Sequence, residues 1–239
     1  MPSITALSET DICNMAMGHL GISVTINSIT PPDQTAQAQI ASFWYPKCRD
    51  QLLQSAPWNF CDTNINLVQE PVPAPLGPQQ GYAAPGWQYS YQYPNDCLQP
   101  LQVTTLAGQR FGPQFWLGYW WPSVGMTLTI PKIPYKVVES QANPGGLCIL
   151  CDFLATPQNP LYLFYIQCVS NTAQFDPMFS DTLSYLIGWR AGAQLRADRE
   201  RVADCKAAYE SARLNALAQH LNANQQDLER DSPSIIARW

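Results

Sequence analysis

Charged residues are scarce in this sequence. Lysine and arginine total 13 and aspartate and glutamate total 18 among 239 residues, so 13% of the chain is charged and the net charge is −5. About 25% is usual for a globular protein. This balance argues against a nucleic-acid-binding protein that works through bulk positive charge.

The few charges are also unevenly placed. Residues 1–179 hold ten acidic and five basic side chains, whereas residues 180–239 hold eight of each. Because charged side chains normally solvate the exterior of a monomer, their scarcity over the first 179 residues indicates a surface that meets other protein. The alternative is an exterior solvated by the abundant Gln, Asn, Ser and Thr side chains.

Basic residues are missing before Lys47, and no long apolar run occurs. A secretory signal and a transit helix both need basic residues near the start, so we expect a protein that is made and kept in the cytosol. The longest unbroken apolar run, Leu161–Ile166, is far shorter than the roughly 18 residues of a transmembrane helix. The sequence therefore predicts no membrane insertion.

Patterns that carry catalysis are missing as well. The two histidines, His19 and His220, lie beside no Gly-rich elbow that would present a nucleophile, which favours core or capping roles. No phosphate-binding loop, G-x-G-x-x-G or H-E-x-x-H motif occurs. Only three carboxylates lie between Asp62 and Asp152, too few for a convincing glycosidase pair. We predict that the protein is not an enzyme and takes no cofactor or metal.

The cysteines are dispersed, and the expected compartment is reducing. Only Cys148 and Cys151 form a C-x-x-C pattern, and they fall in a predicted strand, where residues three apart point to opposite faces. That geometry suits neither a shared zinc ion nor a disulfide. We predict buried free thiols at all eight positions: Cys13, Cys48, Cys61, Cys97, Cys148, Cys151, Cys168 and Cys205.

Capping residues and apolar periodicity predict two helices near the start of the chain. Ser8 and Asp11 form a capping pattern for the first helix, which ends at Gly21. The second spans residues 35–54, and we expect Pro46 to kink or interrupt it. Its predicted apolar stripe is Ala36, Ile40, Phe43, Trp44, Cys48 and Leu52.

Two more helices are predicted near the end of the chain. Asp176 and Pro177 open the third, and the fourth runs from about residue 198 to 224. The stripe of the third is Phe179, Leu183, Leu186, Ile187 and Leu195. The stripe of the fourth is Val202, Cys205, Tyr209, Ala212 and Ala216.

The middle of the chain alternates as an antiparallel β domain does. Strands are predicted at 59–69, 87–93, 101–106, 126–130, 135–139, 147–153 and 161–169. Residues 71–85 contain five prolines and two glycines, which predicts an extended loop within the β region.

The order of elements is helix, helix, β insertion, helix, helix. We therefore predict an α+β fold, in which a discontinuous four-helix domain formed by the N- and C-terminal helices carries an inserted antiparallel β domain and an extended C-terminal arm. The predicted boundaries are 1–58 and 172–226 for the helical domain, 59–171 for the β domain and 227–239 for the arm.

Aromatic residues are dense in the predicted β domain. Such a cluster fits a β-domain core, a protein interface or a platform on which sugars stack. Ten lie within 35 residues: Trp87, Tyr89, Tyr91, Tyr93, Phe111, Phe115, Trp116, Tyr119, Trp120 and Trp121.

The predicted arm turns apolar toward its end. Pro233 biases Ser232 away from the α region, and Ile235, Ile236 and Trp239 would each forgo roughly 1.5 to 3 kcal/mol of burial in water. A frayed end tucked on its own subunit is one interpretation. We favour an arm that anchors onto a partner through Ile235, Ile236, Arg238 and Trp239.

Several short tracts, in order along residues 12–195, together resemble the tail tubular protein A family of short-tailed bacteriophages. The stretch from Trp87 to Leu98 is the most specific. The matching positions are Ile12, Cys13, Asn14, Met15, Ala16, Leu20, Gly21, Pro57, Trp58, Phe60, Cys61, Leu67, Gly86, Trp87, Tyr89, Tyr91, Tyr93, Pro94, Asp96, Cys97, Leu98, Phe175, Asp176, Pro177, Phe179, Leu183 and Gln194.

The resemblance implies a ring-forming head-to-tail adaptor of the virion. Such a ring of about twelve subunits sits beneath the portal, with helical domains against the portal and neighbouring subunits and β domains toward the tail nozzle or tail tube, and DNA passes through it without sequence-specific binding. The chain would be synthesised in the host cytoplasm. The alternative is a carbohydrate- or receptor-binding tail module that uses Trp116, Trp120 and Trp121 as its platform.

Overall fold

The computed structural model describes residues 7–229 except 24, 57, 71–86, 106–132 and 141, with side chains up to residue 218. These residues form four helices and two small antiparallel sheets, a mixed arrangement compatible with the α+β class. Contacts divide the chain into two compact units. The helical unit is 1–61 with 168–239, and the β unit is 62–167. The sequence pattern predicts that the β domain begins at residue 59 and ends at residue 171.

Helix α1, Glu9–His19, begins with the capping box that the sequence predicts. The Ser8 Oγ accepts a hydrogen bond from the Asp11 N–H at 3.1 Å, and the Ser8 N–H donates to Asp11 Oδ2 at 2.9 Å. The Ser8 hydroxyl also donates to Asp11 Oδ2 at 2.7 Å, and this bond together with that from the Ser8 N–H holds the pKa of Asp11 below its usual range. Gly21, with φ +73°, lies just beyond the helix end.

Helix α2, Ala36–Ser55, departs from its prediction in two ways. It is continuous through Pro46, so the predicted interruption is wrong. Pro46 lies on the exposed side of the helix, where its ring is not part of the buried core. The predicted stripe is confirmed only in part, because Cys48 and Leu52 are buried but Ala36 and Phe43 are exposed. Small alanines turn inward instead, and the buried set is Ala38, Ala41, Tyr45, Cys48, Leu52 and Leu53.

Helices α3, Pro177–Gly192, and α4, Arg199–Glu229, agree more closely with the sequence. Asp176 Oδ1 accepts the Met178 N–H at 2.8 Å and caps α3. The stripe of α3 is buried except for Leu195, which follows the helix and is half-buried. Helix α4 continues to Glu229, so residues 227–229, which were predicted to begin the arm, are helical.

Helix α3 packs against α1, α2 and α4, and ten of its 16 residues are buried. Two glycines allow this close approach. A Cβ at Gly188 would lie 3.2 Å from Cys205 Sγ, and a Cβ at Gly192 would lie 2.5 Å from Val202 Cγ2 and 3.2 Å from Leu20 Cδ2. Side chains of neighbouring elements therefore pack directly against the α3 backbone at these two positions.

The β unit contains two three-stranded antiparallel sheets. One has the order β1-β6-β3 and the other the order β2-β5-β4. The predicted strand at 126–130 and the loop at 71–85 lie outside the described residues. The strands are β1 Asp62–Asn66, β2 Tyr89–Gln92, β3 Cys97–Thr104, β4 Lys136–Glu139, β5 Leu147–Cys151 and β6 Tyr162–Gln167.

Backbone hydrogen bonds join the two sheets at two places, one between residues 68–70 and β2 and the other between residues 103 and 133. The Gln92 N–H donates to the Val68 carbonyl at 2.9 Å, and the Glu70 N–H donates to the Ser90 carbonyl at 3.0 Å. Elsewhere the Ile133 N–H donates to the Val103 carbonyl at 3.3 Å. The buried core of the unit is Leu67, Tyr91, Val103, Ile149, Cys151, Leu161, Leu163 and Tyr165.

None of the helices in the described part of the chain combines the length and the apolar character that crossing a bilayer requires.

The glycine contacts of α3 predict opposite effects for two substitutions. Gly192→Ala should lower the free energy of unfolding by about 1 to 3 kcal/mol, because its methyl group overlaps the Val202 side chain. Gly18→Ala is the matched control, because no atom lies within 4 Å of its Cβ position, and it should raise that free energy by up to about 1 kcal/mol. Urea denaturation measures both, and equal effects would contradict the close packing.

His19 predicts a dependence of stability on pH. Its ring stacks on Tyr185 with centroids 4.2 Å apart, and Nε2 lies 3.1 Å from Ser184 Oγ. Burial lowers the pKa of His19, partly offset by Asp181. The unfolded chain therefore binds the proton more readily, so this contribution is fully present above a pH of about 6.5 and is lost as the pH falls below it.

The measurement compares the wild-type protein with His19→Gln by urea denaturation at a pH of about 7.5 and of about 5.5. The wild-type protein should lose more stability between these two pH values than the variant does. An equal loss in both proteins would show that His19 does not contribute.

Candidate interaction surface

Large apolar side chains are exposed at six of the described positions, and three of these line one depression in the β unit. Ile65 is 43% exposed, Val68 60% and Leu147 50%. The other three are Phe43, Leu154 and Leu214. Clustered exposed apolar groups mark interaction sites more often than scattered ones do.

The depression, which we call the β-unit cleft, has a volume of about 700 Å³. Its walls come from three parts of the chain, residues 65–70, 92–97 and 142–147. Its polar lining consists mainly of side-chain amides, namely Asn66, Gln92, Asn95 and Asn143. Among the described lining residues only Glu70 carries a charge. The cleft therefore suits an apolar occupant that brings few charges.

Two serine hydroxyl groups hold the Glu70 carboxylate in place. The Ser90 Oγ donates to Glu70 Oε2 and the Ser140 Oγ donates to Oε1, both at 2.5 Å. Ser140 is buried, and its Oγ also accepts the Asn143 N–H at 3.0 Å. Hydrogen bonds to a charged acceptor are stronger than neutral ones, so this network fixes a negative charge at the wall of the cleft.

The turn between β4 and β5 forms one wall. The Ser140 N–H donates to the Gly146 carbonyl at 2.8 Å, and the Gly146 N–H donates to the Asn143 carbonyl at 2.9 Å. Gly145 has φ +84°, a left-handed conformation that glycine adopts without steric cost. This turn places Asn143 and Leu147 at the cleft.

Strand β1 and the residues after it form another wall. Within the described residues β1 pairs only with β6, and Asn64, Ile65 and Asn66 are exposed. The chain then crosses between the sheets, because the Leu67 N–H donates to the Leu161 carbonyl at 2.7 Å and Gln69 pairs with Tyr91 of β2. Since residues 68–70 are extended, Val68 and Glu70 point to the same side.

The tyrosines of the predicted aromatic strand serve different purposes. Tyr91 is fully buried, and its hydroxyl donates to the Phe153 carbonyl at 2.7 Å and accepts the Ala155 N–H at 2.8 Å. Tyr89 and Tyr93 are half-buried against the core cluster, and Tyr93 also lines the cleft. Burial raises the pKa of Tyr91 and Tyr93 above the usual range. Trp87 is half-buried, just before β2.

A second exposed aromatic group lies on α2 of the helical unit. Phe43 and Trp44 are in edge-to-face contact with ring centroids 5.3 Å apart, and Lys47 Nζ lies 3.3 Å from the Phe43 ring centroid. The Trp44 Nε1 donates to Gln194 Oε1 at 3.1 Å. This α2 patch of Phe43, Trp44 and Lys47 keeps aromatic surface at the exterior of the helix.

All eight cysteines lie in the described residues as thiols, six of them buried and Cys97 and Cys168 half-buried. The Cys148 Sγ donates to the Glu139 carbonyl at 3.8 Å, whereas the Cys151 Sγ donates to the Phe153 carbonyl at 3.5 Å. Burial raises the pKa of both thiols, which makes them poor nucleophiles. Among the described residues, no group of three or more His, Cys, Asp or Glu side chains is placed to hold a metal ion.

Other predicted site residues lie outside the described residues: Trp116, Trp120, Trp121, Ile235, Ile236, Arg238 and Trp239. The same is true of the His220 side chain. The cleft itself was not predicted, because its three walls are distant in sequence. The apolar positions Ile65 and Val68, set among Asn and Gln at the end of β1, are the sequence signal that would have indicated it.

Comparison with protein-family models gives no match, and neither does comparison with curated proteins.

The serine network predicts that Glu70 contributes to stability as well as to charge. Glu70→Ala should lower the free energy of unfolding by about 1 to 3 kcal/mol, because the buried Ser140 hydroxyl loses its acceptor. Glu70→Gln keeps one carbonyl acceptor and should cost less. Urea denaturation distinguishes the two, and an equal loss in both variants would contradict the network.

Proposed function

We propose that this protein is a structural component of a short-tailed bacteriophage virion, a ring-forming adaptor that joins the portal to the tail. The resemblance of its tracts to the tail tubular protein A family supplies the role. The character of the described surface supports it independently. The proposal assigns the chain no catalytic activity and no cofactor.

The observation that carries the proposal is apolar exposure on a surface with very little charge. Residues 62–167 contain five acidic and three basic side chains, far below the usual proportion. Ile65, Val68 and Leu147 are nevertheless exposed around one cleft. A protein that works alone would solvate such a surface with charges, whereas a protein that works in an assembly covers it.

In this proposal the helical unit is a discontinuous four-helix domain that contacts the portal and neighbouring subunits. Helix α3 draws both ends of the chain together by packing on α1, α2 and α4. The exposed α2 patch offers a face to a neighbour, since aromatic side chains with a nearby cation are common at interfaces. The β unit faces the next tail component.

The charge of the chain suits a channel through which DNA slides. Each subunit carries −5, so a ring of about twelve carries about −60, and it would release few counterions on contact with phosphates. A basic lumen would instead retain DNA. A reconstructed lumen lined mainly by Arg190, Arg196, Arg199 and Arg201 would contradict this part of the proposal.

The C-terminal residues supply the anchor. Ile235, Ile236 and Trp239 are apolar groups that a partner would bury, and Arg238 would pair with an acidic group. We assign these residues to contacts with the portal or with adjacent adaptor subunits.

The direct test mixes the full chain with the portal protein encoded by the same genome and measures the mass of the complex. The wild-type chain should give about twelve copies on each portal ring. Deletion of residues 232–239 should leave a folded, soluble protein that no longer assembles, because its hot-spot anchors are gone. Glu210→Gln, at a polar side chain that is 59% exposed on α4, is the control and should assemble normally.

Two outcomes would contradict the proposal. A wild-type chain that binds no portal would remove the adaptor role. A small oligomer that binds sugars on a glycan array would favour the tail module that uses Trp116, Trp120 and Trp121.

A further inference from the structure

We propose that the β-unit cleft binds residues 232–239 of a second copy of this chain. The inference rests on the proposed ring, because it names the contact that joins one subunit to the next. It is carried by the chemistry of the cleft and by the chemistry of the segment that would fill it.

The cleft calls for an occupant with apolar side chains and one positive charge. Ile65, Val68 and Leu147 supply exposed apolar surface, and the lining amides supply neutral donors and acceptors. Glu70, held by Ser90 and Ser140, supplies one fixed negative charge. An acidic or a highly charged segment would lose its solvation without finding partners.

Residues 232–239 have this composition. Their sequence, SPSIIARW, contains two isoleucines, one tryptophan and one arginine, with no acidic side chain. Ten residues, 230–239, follow the end of α4. Extended, they reach about 33 Å, which is enough to leave one subunit and bind another.

The spacing of groups also matches. Val68 and Glu70 are two residues apart on an extended segment, so they face the same side. Ile236 and Arg238 are likewise two residues apart, and in an extended arm they share one side. An arm laid along residues 68–70 therefore places Ile236 against Val68 when Arg238 meets Glu70.

The backbone of β1 favours an extended occupant. Within the described residues this strand pairs on one side only, and Asn64–Asn66 are exposed beside the cleft. Addition of a strand to a sheet edge supplies backbone hydrogen bonds to an extended occupant. Pro233 favours an extended conformation before it, and the two isoleucines are β-branched, as strands prefer.

A contact of arm to cleft is heterologous, because each copy donates one surface and accepts through another. Repetition of such a contact joins identical subunits into a ring where the rotation closes, as the proposed function requires, and into an open filament where it does not. An isologous contact would stop at a dimer.

The test uses two full-length variants and their mixture. Ile236→Asp places a charge in the apolar part of the arm and leaves the cleft unchanged. Val68→Asp places a charge in the cleft and leaves the arm unchanged. Sedimentation velocity should show concentration-dependent association of the wild-type protein, and each variant alone should associate at least about tenfold more weakly. The equimolar mixture should form a one-to-one heterodimer, because it restores one productive contact.

The controls separate docking from folding. Leu154→Asp, on a β-unit side chain that is 45% exposed and does not line the cleft, should associate as the wild-type protein does. If Val68→Asp fails to fold by circular dichroism, Leu147→Asn replaces it, since Leu147 is 50% exposed on the same cleft.

Three results would overturn the inference. A wild-type protein that stays monomeric at about 100 µM, well above the roughly micromolar or tighter dissociation constants of standard-size interfaces, excludes a second copy as the occupant. Undiminished association of either variant assigns the contact to other residues. A mixture no better associated than its components rejects the pairing of arm with cleft.

Portal binding distinguishes this failure from failure of the proposed function. If the wild-type protein and both variants assemble onto portal equally, the result supports the adaptor role and contradicts the arm-to-cleft contact. If the wild-type protein associates with itself as predicted but binds no portal, the result supports the arm-to-cleft contact and contradicts the adaptor role.

Discussion

The helical unit depends on the burial of α3. This helix is buried over ten of its 16 residues, and three helices from opposite ends of the sequence pack on it. A helix enclosed on so many sides needs small residues where its neighbours cross, and Gly188 and Gly192 provide them. This arrangement accommodates the long separation between α2 and α3 in sequence, because both helices belong to the helical unit while residues 62–167 between them form the β unit. The insertion is the β unit, which has its own buried core.

The β unit is stabilised in a different way. Its two sheets are small, with three strands each, and the chain joins one to the other. Residues 68–70 do this by leaving the β1-β6-β3 sheet and pairing with β2. The same crossing exposes Val68 and brings Glu70 to Ser90 and Ser140. The feature that stabilises the unit therefore also creates the cleft that we assign to a neighbouring subunit. Tyr91, which pairs with Gln69 at the crossing, is buried, and its hydroxyl satisfies the Phe153 carbonyl and the Ala155 N–H.

Local signals in the sequence predicted local structure well. Ser8 with Asp11, and Asp176 with Pro177, identified helix starts because a cap acts over three or four residues. Predictions that depended on the choice of face were weaker. The sequence predicts that Phe43 lies on the buried face of α2. In the structure the helix buries Ala38 and Ala41 instead, and Phe43 is exposed with Lys47 Nζ over its ring. Burial there is decided by how closely two helices approach, which hydrophobicity along one helix does not encode. The cleft escaped prediction for a similar reason, since Val68, Asn95 and Leu147 meet only after the sheets form.

We propose that a surface so poor in charge is covered by other protein in a ring beneath the portal. The decisive measurement is a cryo-electron microscopy reconstruction of a virus particle that contains this chain. We expect about twelve copies below the portal, with the surface around Ile65, Val68 and Leu147 buried against protein. A reconstruction that places the chain elsewhere in the particle, or that leaves this surface open to solvent, would contradict it.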